Sequence, residues 1–517
     1  MGKLFKNELI LFLGIFLLGA FLRLYHLDFP LGLHGDEAWT GIEAQRILAT
    51  GSIGIWSPGA YGQIAVPFYW TAFIFKFFGA SLMSLRFSFT ILTVLSLPFF
   101  YLFVKELFGK KIALISFFLF CCSRIFIHFG HIAYSVVFLP LFPTLYFFQL
   151  MMKRKKVIFA IATGFFLGTA MYGYVGLRLL PVFVGIFFLY TLVSKKFAKV
   201  YIKQIVVCFF TFVVVIFPII LFAISQPENF WSRANSISLF SSGGLIHELN
   251  GKPNTQWNRI MVFVTSMEKT AGMFNFRGDN DSQDNNDALP VFDLFTGIFF
   301  LAGIVIQLKK IKNEQSIFLF LLFLLFLTGS VFTVDAPNFR RVQPAIASAY
   351  IFVAIGLIGI EKIAKRFLPS QKNVFVFLLI IATGVIGIVN IDYYFTKQGI
   401  SSQTKTIFSY RLVKVANVLH TLPQPLYVFF YSDSKSYSYE TLRFLVSDIP
   451  GENDSKQFGT FSLINTHPFR HVAYVFFPEY EDTFVHVQKM YPGGQASVIQ
   501  DTDNTLLFYL YFLPSTI

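Results

Sequence analysis

The sequence is short of charge. Only 14% of its 517 residues are Asp, Glu, Lys or Arg, and acids are the scarcer sign, 28 against 42 Lys and Arg. A soluble domain carries about 25% charged residues, so that class is excluded. Cysteine is scarcer still. Cys121, Cys122 and Cys208 all sit inside apolar runs, and an odd number so placed excludes a disulfide framework and leaves buried thiols. No internal repeat of fixed period is visible. The first apolar run, residues 9–25, is followed by no small-residue cleavage pattern, which argues for an uncleaved first helix with a cytoplasmic amino end.

What is abundant is apolar surface: 55% hydrophobic residues, 69 of them Phe. Long runs recur at 9–25, 83–105, 111–129, 133–151, 157–172, 177–194, 205–225, 291–308, 316–333, 344–360 and 373–391, which predicts an α-helical polytopic membrane protein of about eleven spans. The formal charge of +14 would point to nucleic acid in a soluble chain. Here the basic residues cluster between the apolar runs, as cytoplasmic loops do, and nucleic acid is set aside.

The apolar stretch Val66–Phe78 decides the topology. It is too short for a span of about 20 residues and contains Pro67 and Lys76, so an interfacial helix suits it better. The clusters Lys105/Lys110/Lys111, Lys153–Lys156, Lys195/Lys196/Lys199/Lys203, Lys309/Lys310/Lys312 and Lys362/Lys365/Arg366 then all fall on the cytoplasmic side. The outer side receives a first loop, 26–82, a long loop, 226–290, the turns at 172–178 and 334–341, and the tail. This divides the chain into a membrane domain, 1–395, and a tail, 396–517, with ordinary charge density. In the tail, Leu426–Tyr431, Val472–Phe477 and Thr505–Phe512 read as strands, and 406–419, 439–446 and 480–490 as helices, hence a small extracytoplasmic α/β domain. Its role is acceptor recognition or plain packing. The Asp/Asn-rich segment 279–287 lacks EF-hand spacing and reads as a solvated loop.

The polar residues of the outer side are the candidates for chemistry. Asp36 and Glu37 lie about ten residues beyond the first run; alone, they would serve to charge the first turn of a helix. Arg86 opens the second span, and Arg124, His128 and His131 lie at the outer end of the third. A charge within a span costs about 2.5 to 3.5 kcal/mol, so Arg124 either pairs with an acid or anionic ligand or snorkels to the interface. Tyr174 and Arg178 follow in one outer turn, Asn338, Arg340 and Arg341 in another. Outer arginines run against the inside bias, and the guanidinium fork matches phosphate. One reaction needs such parts together: sugar transfer from a lipid phosphate to an acceptor hydroxyl, with a carboxylate as general base and cations on the leaving phosphate. A divalent metal stays an open alternative, since no His/Asp spacing demands one.

Asp36-Glu37-Ala38, Gly41, Ala44, Leu48, Gly51, Pro67-Phe68-Tyr69, Ser84-Leu85-Arg86, Gly164, Gly168, Tyr172-Gly173-Tyr174, Arg178, Pro181, Gln226–Phe230, Arg277–Asn280 and Asn338–Arg341 resemble the GT-C glycosyltransferases of the protein O-mannosyltransferase and aminoarabinose transferase group, family 39 type. The resemblance covers residues 9–360. It implies a polyprenyl-phosphate-linked sugar as donor, a hexosyl- or pentosyltransferase activity that inverts the anomeric carbon, and Asp36 as base with Glu37 beside it. The outer polar residues Arg86, Arg124, His128, His131, Tyr174, Arg178, Arg340 and Arg341 are then expected around the donor, and the resemblance implies the inner membrane of a prokaryote and protein or lipid glycosylation of the cell envelope. The group often carries another acid or an arginine pair in the second outer region, where this chain has His128–Ser135. The rival reading is a transporter or lipid-linked sugar flippase; against it, no inverted repeat is visible and the charges gather on one side.

Overall fold

The computed structural model describes residues 8–59, 62–133, 136–194, 202–454 and 471–515. Lys3, Lys6, Tyr134, Ser135, Lys195, Lys196 and Lys199 lie outside the described residues.

Ten of the eleven apolar runs each carry one α-helix among the described residues, and the run 111–129 carries two. The first six helices in chain order are α1 (Glu8–Leu24), α2 (Gly35–Thr50), α3 (Val66–Phe78), α4 (Leu82–Phe108), α5 (Lys110–Cys122) and α6 (Arg124–His131). Among the described residues, six helices are long and apolar enough to cross a membrane: α4, Val175–Val193, Ile202–Ser225, Glu314–Val331, Gln343–Phe367 and Asn373–Ile400. The expected third span is not straight. It is α5 and α6, bent by 59° at Ser123, and the pair counts as a seventh crossing only if taken as one. α1, Phe138–Arg154, Val157–Ala170 and Leu294–Leu308 have 14 to 17 residues, so length alone does not mark them as spans. The protein is a mainly helical membrane protein.

Nothing in the sequence pattern singles out Arg23, yet it accounts for the bend. Wholly buried, it donates to Cys121 O at 3.0 Å and Phe120 O at 3.4 Å, carbonyls that the end of α5 leaves without helical partners. Small residues let other helices approach. A Cβ on Gly303 would lie 1.9 Å from Phe352 O, and one on Gly356 1.9 Å from Phe299 O; Gly164 and Gly168 meet Cys208 O and Val215 in the same way. Interlocked rings fill the space around these crossings, with Phe120 against Phe100, Phe126 and Phe142 at centroid distances of 4.3 to 5.4 Å.

The tail builds one five-stranded sheet in the order Gly451–Asn453, Leu426–Tyr431, His471–Phe476, Leu506–Leu513, Gln495–Gln500. The first two pairings are parallel and the last two antiparallel. The three strands expected from their apolar runs are present. Gln495–Gln500 is almost wholly exposed and carries no alternation to read, which is why it escapes the sequence. The helix expected over 406–419 is two helices, Ser402–Ile407 and Tyr410–Leu419, parted by Ser409 in left-handed backbone.

This tail is packed on α2. Leu33 donates its amide to Phe408 O, Thr441 Oγ1 donates to Leu33 O at 2.9 Å, and Phe444 stacks on Phe75 of α3 at 5.9 Å. Gly41 makes room for it, since a Cβ there would meet the Phe444 ring at 2.4 Å. The acid helix is therefore clamped between membrane helices and tail.

Candidate active site

Helix α2 starts where it does because His34 and Glu37 form a capping box: His34 Nδ1 accepts from Asp36 N at 3.1 Å, and Glu37 Oε2 accepts from His34 N at 3.4 Å. Burial pushes His34 below the ordinary histidine pKa, against the opposing pull of Asp36, which suits an acceptor nitrogen. The two adjacent acids then part company, because consecutive helical residues point about 100° apart.

Glu37 turns inward and is 0% exposed. Arg86, equally buried, grips it with Nε to Oε1 at 3.1 Å and Nη2 to Oε2 at 3.0 Å, and the amide of Ala133 adds a bond at 2.9 Å. The rest of the Arg86 guanidinium is spent on the carbonyls of Leu27, Pro30 and Gly32 at 2.8 to 3.2 Å. Neither residue lines the cleft that Asp36 faces. The pair staples the segment 27–37 to the head of α4.

Asp36 turns outward, its side chain 31% exposed, onto a cleft of about 730 Å³ including the open mouth. Thr40, one turn on, joins it, and the opposite walls bring Tyr174, Arg178, Arg233 and Arg340. Arg178 lies over the Phe230 ring at 4.5 Å, and its Nη1 is buried with no hydrogen-bond partner among the described residues. Arg340 reaches Asp284 Oδ1 with Nε at 3.0 Å and Nη2 at 2.5 Å.

The sequence reading separates into residues the fold gathers and residues it does not. Asp36, Tyr174, Arg178 and Arg340 meet in the cleft. Arg86 and Glu37 are paired with each other behind it. Arg124 is corrected as a donor ligand: its guanidinium is buried and committed to Asn285 Oδ1 at 2.7 Å, Pro290 O at 2.8 Å and Gln398 Oε1 at 3.2 Å. His128 Nε2 bonds to Gln283 O at 2.8 Å, His131 Nδ1 to the Tyr394 hydroxyl at 2.7 Å, and neither lines the cleft. Arg341 donates to Thr333 Oγ1 at 2.7 Å and to Val334 O, holding its own turn together.

The Asp/Asn-rich loop is the other correction. It is only partly solvated: Asp279, Gln283, Asp284, Asn285 and Asn286 are buried, while Asn280, Asp281 and Asp287 are exposed. Arg124, His128 and Arg340 take its polar groups, and Gln283 Nε2 reaches His34 Nδ1 at 2.9 Å. Burial, reinforced by the charge of Asp284, raises the Asp279 carboxyl above the ordinary range although two backbone amides bond to it. The local polarity that makes the segment look solvated is what lets it fill a polar interior.

Arg233 was not foreseen. It sits in the helix Pro227–Ile237, three residues after Phe230, and an arginine one turn beyond a motif aromatic was the available signal. One group of described residues has atoms close enough to hold a metal ion, His247, Glu248 and Asp335; it is largely exposed and lies outside the cleft.

Residues 65–222 match the family described as dolichyl-phosphate-mannose-protein mannosyltransferase, a minority of the chain. No curated protein matches the sequence. The fold is similar to ArnT from Cupriavidus metallidurans bound to undecaprenyl phosphate, at 13% identity and TM-score 0.54 over 98% of this chain and 97% of that one. Its apo state is similar at 13% identity and TM-score 0.51 over 98% of both chains. The archaeal oligosaccharyltransferase AglB from Archaeoglobus fulgidus, in complex with an inhibitory peptide and a dolichol-phosphate, is similar at 13% identity and TM-score 0.51, over 99% of this chain and 75% of that one. The resemblance read from the motifs thus holds as a shared GT-C fold.

Proposed function

We propose that the protein is an integral-membrane glycosyltransferase that moves a hexosyl or pentosyl group from a polyprenyl-phosphate donor to an acceptor hydroxyl at the extracytoplasmic face. The observation that carries this reading is the meeting of one outward carboxylate, Asp36, with Arg178, Arg233 and Arg340 in a single cleft. A buried guanidinium nitrogen without a partner, as at Arg178, costs about 1 to 3 kcal/mol, more for a charged group, and a phosphate oxygen would remove that cost. The fold neighbours point the same way: ArnT is bound to undecaprenyl phosphate and AglB to a dolichol-phosphate.

In this mechanism the acceptor oxygen attacks the anomeric carbon and its proton passes to an Asp36 carboxylate oxygen. The bond from the anomeric carbon to the phosphate oxygen breaks, the electron pair leaves with the lipid phosphate, and the arginines stabilise the added charge. Attack opposite the leaving group inverts the anomeric centre. Glu37 and Arg86 are positioning residues that hold α2 in place. Arg124, His128 and Arg341 position the loop and turn that carry Asp284 and Arg340, and His131 ties its own helix to Tyr394. The first outer loop, the loop 226–290 and the tail domain, 396–517, lie outside the inner membrane of a prokaryote, with the amino terminus in the cytoplasm and about eleven crossings between.

The test uses purified protein in nanodiscs with a panel of radiolabelled polyprenyl-phosphate sugars. Wild type is expected to release or transfer sugar, and Asp36→Asn to bind the donor without turning it over. Turnover that survives Asp36→Asn would discard Asp36 as base. Transbilayer movement of a donor with no release would favour a flippase.

A further inference from the structure

A second cavity, about 1070 Å³ measured with its mouth, opens in the tail on the side walled by the first turn of Tyr410–Leu419. Ser409, the N-cap of that helix, has φ 50° and its hydroxyl makes no capping bond. An N-cap serine ordinarily accepts from the first-turn amides. Here Ser409 is only 7% exposed, and its Oγ has no hydrogen-bond partner among the described residues. The first turn, beside the cavity, therefore has no side-chain cap, although the amides of Leu412 and Val413 bond to Ser409 O at 2.9 and 3.3 Å.

The charges around it are unequal. Lys405 is bonded to Asp501 at 2.6 Å, and Asp503, on the rim, accepts the amide of Thr505. Arg411 rests over the Phe477 ring at 5.7 Å and Lys435 over the Tyr439 ring at 4.1 Å, and among the described residues neither has an acidic partner. Two cations, a helix N-terminus without a side-chain cap and aromatic faces stand against one acid that has no ion pair among the described residues. A helix N-terminus with an arginine binds a carboxylate or phosphate well, while hydroxyls and carboxylates beside aromatic rings suit the two faces of a sugar.

We propose that this cavity binds an anionic carbohydrate, its carboxylate or phosphate seated at the first turn of Tyr410–Leu419 with Arg411 and Lys435 as counter-charges, its hydroxyls meeting Asp503. Phe408, the residue before Ser409, accepts the amide of Leu33 and packs its ring 5.9 Å from that of His34, two residues before Asp36. That contact places the ligand beside the acid helix; its role as part of the sugar acceptor rests on the glycosyltransferase reading above.

Calorimetric binding to the purified full-length protein, with no donor present, tests the site independently of catalysis. The probes are trigalacturonate, glucose 6-phosphate and neutral maltotriose. At least one anionic probe is expected to bind about tenfold or more tightly than maltotriose, and its choice separates a carboxylate from a phosphate ligand. Arg411→Gln with Lys435→Gln should weaken that probe about tenfold or more, while Lys435→Arg retains it. Unchanged thermal unfolding guards against misfolding. Equal binding of maltotriose, no binding of either anion, or anion binding that survives the double substitution overturns the proposal. Because no donor is used, failure of Asp36 as a base leaves this result untouched.

Discussion

At the scale of single residues, the acid pair shows how little adjacency means on a helix. Asp36 is available to a ligand; Glu37 is consumed by Arg86. The two substitutions should therefore fail differently. Asp36→Asn is expected to lower sugar transfer by about 10²- to 10⁴-fold with little change in thermal unfolding. Glu37→Gln leaves Arg86 buried without its counter-charge and should cost about 3 to 5 kcal/mol of stability, read by denaturation as well as by activity. Arg178→Gln separates binding from chemistry. It should weaken donor binding about tenfold or more while the protein unfolds as before, because Arg178 has no ion pair to lose among the described residues.

At the scale of elements, polar anchors tie together pieces that hydropathy alone would leave loose. Arg23 closes the break between α5 and α6, and Arg124 ties the loop 285–290 to the head of α6. Lys405 ties Ser402–Ile407 to the turn before the last strand through Asp501. Burial works to raise the Asp501 carboxyl, but bonds from Lys405, the Thr502 amide and Tyr410 outweigh it and bring it down to about 2. A carboxyl depressed in the folded state stabilises above its unfolded value, about 3.9, and that contribution is lost as pH falls through the folded value. Thermal unfolding followed from pH 5 to about pH 2 should show this decline in the wild type, and Asp501→Asn should be less stable above about pH 4 with that part of the slope gone.

Across the whole molecule, the tail and the membrane helices share the acid helix between them. Phe444 and Val413 belong to the same apolar cluster as Ala38, Ala44 and Leu85. Gly41→Val would drive a side chain into the Phe444 ring, an overpacking that typically costs about 1 to 3 kcal/mol. The expected outcome is a tail cleaved more readily in limited proteolysis, together with slower sugar transfer, although no cleft residue has changed. Proteolysis and transfer both at wild-type levels would show that the clamp does not matter.

The membrane class, helix along the apolar runs, three of the tail strands and the gathering of polar residues in the loops are legible in the sequence because each follows from a local sum, hydropathy over a window or charge in a loop. Asp36, Arg178 and Arg340, three of the residues singled out from the sequence, line one cleft. What tertiary structure decided is how each polar group is spent. Glu37 meets Arg86 across 49 residues, Arg124 meets Asn285 across 161, and the Asp/Asn-rich segment becomes interior by satisfying both Arg124 and Arg340. In a low-dielectric interior a charge must find its partner wherever the chain returns, so the partner is set by packing and not by spacing. Arg233 entered the cleft, and Arg86, Arg124, His128, His131 and Arg341 left it, for that reason.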